Sequence, residues 1–260
     1  MLHVVEALFF RELKTRFGAN RHLGYLWVVG QPMFQIAVIL LIVTAIREYR
    51  RQVMPSEVSI FMFLACGIIP FFMFRNMLTQ LMNGIQGNMA LFAYKPVRPI
   101  HVFIARTFLE FCIHFVIFVS LLFLASWFFH IKVLPDDFLG VLFCISLLIL
   151  SGFTIGMCFA IIGHLVEPLK VLLTYVGAFL YFASAVIYPI WILPKSIIDI
   201  LLYNPLLHIM ENLKMNYFAN YPITEGINYT YPILFNIVLL FVALWFYHYK
   251  QKELLAVNTK

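Results

Sequence analysis

Two ionisable residues lie four positions apart inside a long apolar stretch, where they could form an ion pair or bind an anion. They are Arg106 and Glu110, in the segment "IARTFLEFCIHF". On a helix this spacing places both side chains on one face, where they can form an ion pair. Charges inside an apolar helix are costly and usually face a cavity or a partner. The spacing therefore predicts either a mutually satisfied pair near the inner membrane face or a contact site for an anionic substrate.

An acidic pair, Asp136 and Asp137 in "LPDDFLG", could suggest a carboxylate-bound metal ion. A polar turn between two apolar segments is the better interpretation, because no clustered metal-ligand pattern accompanies the two residues. The sequence also contains no P-loop, HExxH or GxSxG pattern, and its four cysteines lie in apolar runs without a CxxC spacing. We therefore expect no catalytic residue, no metal site and no cofactor in this chain.

A third group of residues could line a path for sugars. Arg75 follows the run "IIPFFMF", and Tyr175, Tyr181, Tyr188 and Trp191 lie along a later apolar stretch and just beyond it. Aromatic faces stack against sugar rings through C–H contacts. The alternatives are that these rings pack between helices or face lipid, and that Arg75 extends its charge to the membrane surface. Both interpretations are compatible with the spacing.

The elements that position these residues must cross a membrane. The chain of 260 residues is 63% hydrophobic and only 12% charged, with a mean hydropathy of +0.93. Soluble domains are about 45–50% apolar and about 25% charged. The positions of the basic residues behind the net charge of +6 therefore indicate how the chain is oriented in the membrane, and they do not indicate nucleic-acid binding. These values predict an all-α integral membrane protein that does not bind nucleic acid.

Six stretches are apolar and long enough for membrane spans. They are residues 23–46, 58–74, 102–129, 138–163, 171–188 and 231–249. Gly67 and Pro70 interrupt the second stretch. An even number of spans places both termini on one side, and the modest excess of Lys and Arg on that side predicts that it is the inside. We expect one domain over residues 1–260, with an interfacial segment 1–22, a six-span bundle 23–249 and a cytoplasmic tail 250–260.

The segment before the first span has the pattern of an amphipathic helix. Its apolar face consists of Val5, Leu8, Phe9, Leu13 and Phe17, and its basic residues are Arg11, Lys14, Arg16 and Arg21. Such a helix lies in the inner leaflet of a membrane, where anionic headgroups contribute about 1 kcal/mol per basic residue. We therefore predict that these four basic residues recruit lipid headgroups or an acidic substrate.

Two inner loops are candidates for docking to a partner protein. The first is "GNMALFAYKPVRPI", residues 87–100, and the second is "HLVEPLK", residues 164–170. Their candidate contact residues are Phe92, Tyr94, Lys95, Pro96, Arg98, Glu167 and Lys170. An aromatic and basic loop fits a cleft in a partner, although ordinary interfacial loops also carry such residues.

The stretch 189–230 is apolar and rich in proline, and it contains two short amphipathic pieces, residues 196–203 and 206–218. The pair Asn204-Pro205 is a typical start for the second piece, since Pro favours the first helical position. Because neither piece is long enough to span a bilayer, we expect them to dip into its outer half or to lie along it.

Several of these motifs together suggest a family. The segment "FFRELKTRFGANRHLGYLWVVGQP" resembles the start of the ABC-2 type inner-membrane permeases that export capsular polysaccharide in Gram-negative bacteria. The resemblance continues through "GIIPFFMFRNM", "NMALFAYKPVRPIHVFIARTFLE" and "YNPLLHIMENLK". It covers nearly the whole chain. One difference is His22, which separates Arg21 from the Leu-Gly-Tyr-Leu-Trp run that directly follows an Arg in the family.

The resemblance implies a homodimeric permease, multi-pass in the bacterial inner membrane with both termini inside. Two copies of a separate ABC ATPase would bind ATP and Mg and dock beneath it. A periplasmic polysaccharide co-polymerase and an outer-membrane export protein would continue the path of a lipid-linked acidic polysaccharide. Residues 4–21 would form the interface or gate helix, residues 87–100 would contain the coupling helix, and residues 189–218 would form re-entrant outer helices.

Other functions are compatible with the residues. An ABC-2 exporter could carry another glycan, such as O-antigen or teichoic acid, or a small drug. A membrane-embedded enzyme acting on lipid-linked sugars would need essential acidic residues at the membrane surface, for which Asp136 and Asp137 are the candidates. A purely structural membrane subunit is the least favoured alternative.

Overall fold

The computed structural model describes residues 2–17, 24–50, 54, 58–94, 96–130 and 133–255, without the side chains of residues 17, 24–28, 129, 252 and 255. Within these residues the chain is helical and contains no strand. The α-helices are α1 (Leu2–Phe17), α2 (Gly24–Tyr49), α3 (Ile60–Met82), α4 (Pro99–Phe129), α5 (Phe138–Leu165), α6 (Leu169–Ala183), α7 (Lys195–Leu201), α8 (Pro205–Tyr217) and α9 (Thr230–Leu255). Short 3-10 helices cover Gln86–Ala93 and Ile190–Ile192.

Among the described residues, five helical segments are long and apolar enough to cross a membrane. They are Val29–Tyr49, Ile60–Met82, Pro99–Phe128, Phe138–Leu165 and Thr230–Gln251. The predicted fifth of six spans, residues 171–188, corresponds to α6, which has only 15 residues and ends at Ala183. The helix cannot continue because Ala185 adopts a left-handed conformation with a φ of 51°. The chain is therefore a multi-pass membrane protein in which five spans meet the length requirement.

Helix α3 forms the centre of the fold, and most of its residues are buried against α4, α5 and other helices. The prediction that Gly67 and Pro70 interrupt this span is wrong, since the helix runs through both residues and continues to Met82. Gly67 is instead a point of close approach. A Cβ atom there would lie 2.2 Å from the backbone oxygen of Val186, so only glycine allows the turn after α6 to contact α3.

Helix α8 is also part of the core. Its residues from Leu206 to Lys214 are all buried, whereas α7 has no buried residue. The predicted start is confirmed, because the Asn204 side chain accepts a hydrogen bond from the Leu206 N–H at 3.1 Å and Pro205 occupies the first turn. Because α8 is enclosed by protein, it does not have the environment of a helix that lies along the membrane. The other alternative, that this piece dips into the outer half of the bilayer, stays a prediction.

The opposite ends of the bundle can be told apart by their loops. At one end, the backbone N–H groups of Asp136 and Asp137 donate to the carbonyls of Tyr217 and Asn216, at 3.2 and 2.8 Å. These bonds attach the end of α8 to the turn between α4 and α5. At the other end lies the 3-10 helix Gln86–Ala93, which connects α3 to α4.

Candidate functional site

A buried ion pair connects α1 to α4. The Arg106 guanidinium lies 3.1 Å from Glu12 Oε1, and it also donates to the carbonyl oxygen of Gln80 at 2.6 Å. The same Glu12 oxygen accepts a hydrogen bond from Asn88 at 3.0 Å. Since Asn88 belongs to the 3-10 helix Gln86–Ala93, Glu12 links three elements: the amphipathic helix, the first inner loop and α4.

Glu110 pairs with a second residue of α1. Arg16 donates to its carboxylate, and His114 lies 3.6 Å from the other carboxylate oxygen. The predicted ion pair between Arg106 and Glu110 is therefore wrong, because each of these two residues finds its partner on α1. The spacing does place both on one face of α4, as expected, but that face is covered by another helix.

The basic residues of α1 differ in their surroundings. Arg11 is half-buried and donates to the Asn88 side chain, Arg16 is half-buried against Glu110, and Lys14 is exposed. Two of the predicted headgroup contacts are thus engaged with protein groups, and Lys14 is free to reach a headgroup. The fourth predicted residue, Arg21, lies outside the described residues, as does His22.

The two loops that are predicted to lie on the inner side contact each other. Lys170 Nζ donates to Gln86 Oε1 at 2.6 Å and lies 3.9 Å from Glu167 in its own loop. This contact brings the second predicted docking loop against the 3-10 helix of the first. The two predicted docking loops are therefore neighbours at one end of the bundle.

The predicted docking residues of the first loop fall into two groups. Phe92 is half-buried and packs against the cluster around Leu8 and Val102, so its ring holds the loop against α1 and α4. Tyr94, Pro96 and Arg98 are exposed, and Tyr94 has 66% of its surface free. Lys95 lies outside the described residues.

The predicted path residues are not one cluster. Tyr175 is 68% exposed on α6, and Tyr188 donates to the carbonyl oxygen of Phe182 at 2.5 Å. Tyr181 packs on α3, with its ring centroid 5.4 Å from that of Phe71. These aromatic residues therefore include one free ring on α6 and others that pack within the protein.

The remaining two path residues also have neighbours. The Trp191 ring packs edge-on against Tyr221, with 5.1 Å between the ring centroids. The guanidinium carbon of Arg75 lies 4.5 Å from the centroid of the Phe72 ring. Trp191 also contacts the Phe63 ring, with 6.5 Å between the ring centroids. Phe63 precedes the half-buried Arg75 by about 18 Å along α3, so Arg75 and Trp191 lie at different levels of that helix.

A second buried charged cluster was missed by the sequence reasoning. Lys214 is fully buried, donates to Glu211 at 2.8 Å and to the carbonyl oxygen of Ala185 at 2.6 Å, and lies over the Phe63 ring. Tyr221 donates to the other Glu211 oxygen at 2.8 Å. Burial, with Glu211 beside it, raises the pKa of the Tyr221 phenol, so this group remains a hydrogen-bond donor. Opposite charges three residues apart in "MENLK" were the available signal.

The acidic pair has a structural role at Asp137. Its carboxylate accepts a hydrogen bond from the Gly140 N–H at 3.0 Å and caps α5. This is the ordinary function of an Asp at the start of a helix. It agrees with the interpretation of the pair as a turn between spans.

Comparisons with known proteins agree with this arrangement. The ABC-2 type transporter family matches residues 3–218. Polysialic acid transport protein KpsM of Escherichia coli is 35% identical over 96% of this chain and 95% of its own length. Capsule polysaccharide export inner-membrane proteins CtrC of Neisseria meningitidis and BexB of Haemophilus influenzae are 27% and 25% identical, each over 93% of this chain and 88% of their own lengths. A family match over most of the chain and a relative aligned almost end to end show that this protein belongs to the ABC-2 type transporter family.

Proposed function

We propose that this chain is the permease subunit of an ATP-driven exporter that moves capsular polysaccharide across the bacterial inner membrane. The observation that carries the proposal is the end-to-end alignment with KpsM at 35% identity, supported by CtrC and BexB. The permease is not an enzyme, and the hydrolysis of ATP, with its Mg ion, belongs to a separate ATPase chain. The glycan is lipid-linked and acidic in this proposal, as the resemblance of the motifs implies.

The topology of the proposal has six crossings, with both termini inside. The contact between Gln86 and Lys170 supports this, since it brings the start of α6 to the inner end of α3. The other end of α6 is held by α8, where Asn204 donates to the carbonyl oxygen of Ala183 at 3.1 Å. Because α8 is attached to the turn between α4 and α5, α6 extends from the inner loops towards the outer ones. Its 15 residues span about 22 Å, and the turns after Ala183 complete the crossing.

The ATPase docks on the two inner loops in this proposal. Tyr94, Pro96 and Arg98 are exposed on one loop, and Glu167 is exposed on the other. Lys170 and Gln86 join the loops, so a motion of the ATPase reaches α4 and α6 together. Glu12, bonded to Asn88, extends the same motion to α1.

In this proposal a second copy of the chain completes the translocation path. A periplasmic co-polymerase and an outer-membrane export protein then receive the glycan. The exposed ring of Tyr175 on α6 supports a path along that helix. Weak contacts with many sugar rings allow a polymer to slide, as multiple weak sites allow conduction in channels. Lys14 and Arg21 attract the acidic, lipid-linked end of the glycan.

The test is capsule export in cells that lack this gene and are complemented with the wild type or with Lys95→Glu/Arg98→Glu. We expect the variant to insert normally, to lose co-purification with the ATPase, and to leave lipid-linked polysaccharide inside the cell. Lys195→Glu, a charge reversal on the exposed helix α7, is the matched control and is expected to export normally. Normal surface capsule without the protein would contradict the proposal.

A further inference from the structure

A cavity of about 330 Å³ lies between α3, α5 and α6 near the inner loops. Its lining includes Arg75, Asn76, Leu78, Thr79, Thr174 and Gly177. Its volume is in the range of small-ligand sites, which is about 300–1,000 Å³. Four of these residues are polar, although the surrounding helix faces are apolar, and polar groups inside spans usually mark a substrate path.

Among the residues that line the cavity, Arg75 carries the charge. Its guanidinium group stacks on Phe72, and no carboxylate of the described residues lies within ion-pair distance of it. Arg106, by contrast, has Glu12 as its partner. Since an arginine in a span normally has an anionic partner or a water-filled cavity, Arg75 is available for an oxyanion. Its planar fork matches a carboxylate or a phosphate with two parallel hydrogen bonds.

The other polar groups of the lining are acceptors. The Thr79 hydroxyl donates to the carbonyl of Arg75 at 3.2 Å, and the Thr174 hydroxyl donates to the carbonyl of Lys170 at 2.9 Å. The Asn76 amide nitrogen lies 3.3 Å from His114 Nε2. These bonds occupy both hydroxyl hydrogens and one of the two amide hydrogens of Asn76, and they leave the three side-chain oxygens able to accept. A ligand that fits one cation and three acceptors is an oxyanion that carries hydroxyl groups.

The position of the cavity connects it to the inner loops. Thr174, in the lining, is bonded to the backbone of Lys170, and the Lys170 side chain is bonded to Gln86. A ligand in the cavity is therefore one helical turn from the contact between the two loops. The space beside Gly177 is open, because a Cβ there would make only ordinary contacts, with Leu78 at 3.8 Å and Arg75 at 3.9 Å.

The geometry points to a binding site for an anionic sugar at the inner mouth of the path, with Arg75 holding the oxyanion and Asn76, Thr79 and Thr174 accepting from its hydroxyl groups. This inference rests on the proposed function and specifies where the substrate first binds. The oxyanion can be the carboxylate of an acidic sugar or the phosphate at the lipid end of the glycan. Both present an oxyanion next to hydroxyl groups.

Calorimetric binding to the exporter complex, purified with its ATPase, tests the site. The probes are an oligosaccharide of a hexuronic acid, a glucose oligosaccharide of the same length, and a short-chain phosphatidylglycerol. We expect an anionic probe to bind and the neutral one to bind at least about tenfold more weakly, since a hydrogen-bonded charge contributes about 1.5–3 kcal/mol. Binding of the hexuronate identifies the sugar carboxylate, and binding of the lipid identifies the phosphate.

Arg75→Gln is expected to weaken the anionic probe at least about tenfold, and Arg75→Lys less, because Lys keeps the charge but loses the fork. Gly177→Leu keeps the arginine in the sequence but places a side chain in the cavity, so it must also weaken binding. Lys195→Gln, on exposed α7, is the control and should bind as the wild type does. Unchanged binding in Arg75→Gln or in Gly177→Leu would overturn the site.

The capsule assay separates this inference from the proposed function. If deletion of the gene abolishes export while Arg75→Gln both exports and binds normally, the permease function stands and the site is wrong. If Arg75→Gln instead breaks the dimer in a cross-linking assay, Arg75 belongs to the interface between copies, which also overturns the site. Loss of anion binding in a dimer that still holds its ATPase supports it.

Discussion

Arg106 Nη2 lies 3.1 Å from Glu12 Oε1, and this ion pair joins the long helix α4 to the amphipathic helix α1. Both side chains are buried, and the pair has further partners in Gln80 and Asn88. A buried ion pair with further hydrogen bonds favours one arrangement of the elements that carry it, because any other arrangement leaves a charge without a partner. The contact therefore orients α1 relative to the inner loop.

Removal of one member of this pair should destabilise the protein. Glu12→Met leaves the buried Arg106 without a carboxylate, which costs about 3–5 kcal/mol. The measurement is thermal unfolding of the purified protein in detergent. Glu6→Met, at a side chain with 67% exposure, is the control and should have little effect. The double variant Glu12→Met/Arg106→Met should be less destabilised than the sum of the single variants, and additivity would refute the coupling.

Two variants in the loop of residues 87–100 should distinguish a residue that docks the ATPase from a residue that packs the loop. Tyr94→Ala removes an exposed ring and is expected to weaken co-purification with the ATPase without a change in thermal stability. Phe92→Ala removes a half-buried ring that packs against the cluster around Leu8, so its main effect should be a lower thermal stability. Comparison of the two melting curves and of the amount of bound ATPase checks both expectations. Equal losses of stability would show that Tyr94 is a packing residue as well.

Position 67, where α3 contacts the turn after α6, should tolerate no side chain. Gly67→Ala places a methyl group 2.2 Å from the backbone oxygen of Val186, so one of the two backbones must move. We expect loss of folded protein from the membrane, or strongly reduced capsule export where protein remains. Gly30→Ala is the control, because no atom lies within 4 Å of a Cβ at that position. If both variants export equally, the contact with Val186 does not exist in the folded protein.

The stability of the protein should depend on the charges of Lys214 and Glu211 on α8 rather than on the sizes of their side chains. Lys214→Met leaves Glu211 buried without its cation, and we expect a loss of about 3–5 kcal/mol in stability. Glu211→Gln/Lys214→Met removes both charges but keeps an acceptor for Tyr221, so it should recover much of that loss. Thermal unfolding of both variants measures the difference. A double variant no more stable than Lys214→Met would show that the bond from Lys214 to Ala185, not its charge, holds α8.

The sequence alone predicts the fold class and the family. Apolar runs of about 20 residues can satisfy their backbone only as membrane helices, so their order and approximate positions can be read from hydropathy. The helix before the first span, the cap at Asn204 and the start of α8 follow from local periodicity and from the preferences of Pro and Asn. These features depend on neighbours within a few residues, and the structure confirms them.

Only the tertiary structure decides which charges meet. Arg106 and Glu110 have the spacing of a pair, yet residues more than 90 positions away in the sequence supply their partners. The burial of α8 and the early end of α6 are equally non-local, because Ala185 is held by Lys214. Hydropathy records how apolar a segment is but not which neighbour covers it, and the energy of a buried charge depends on that neighbour.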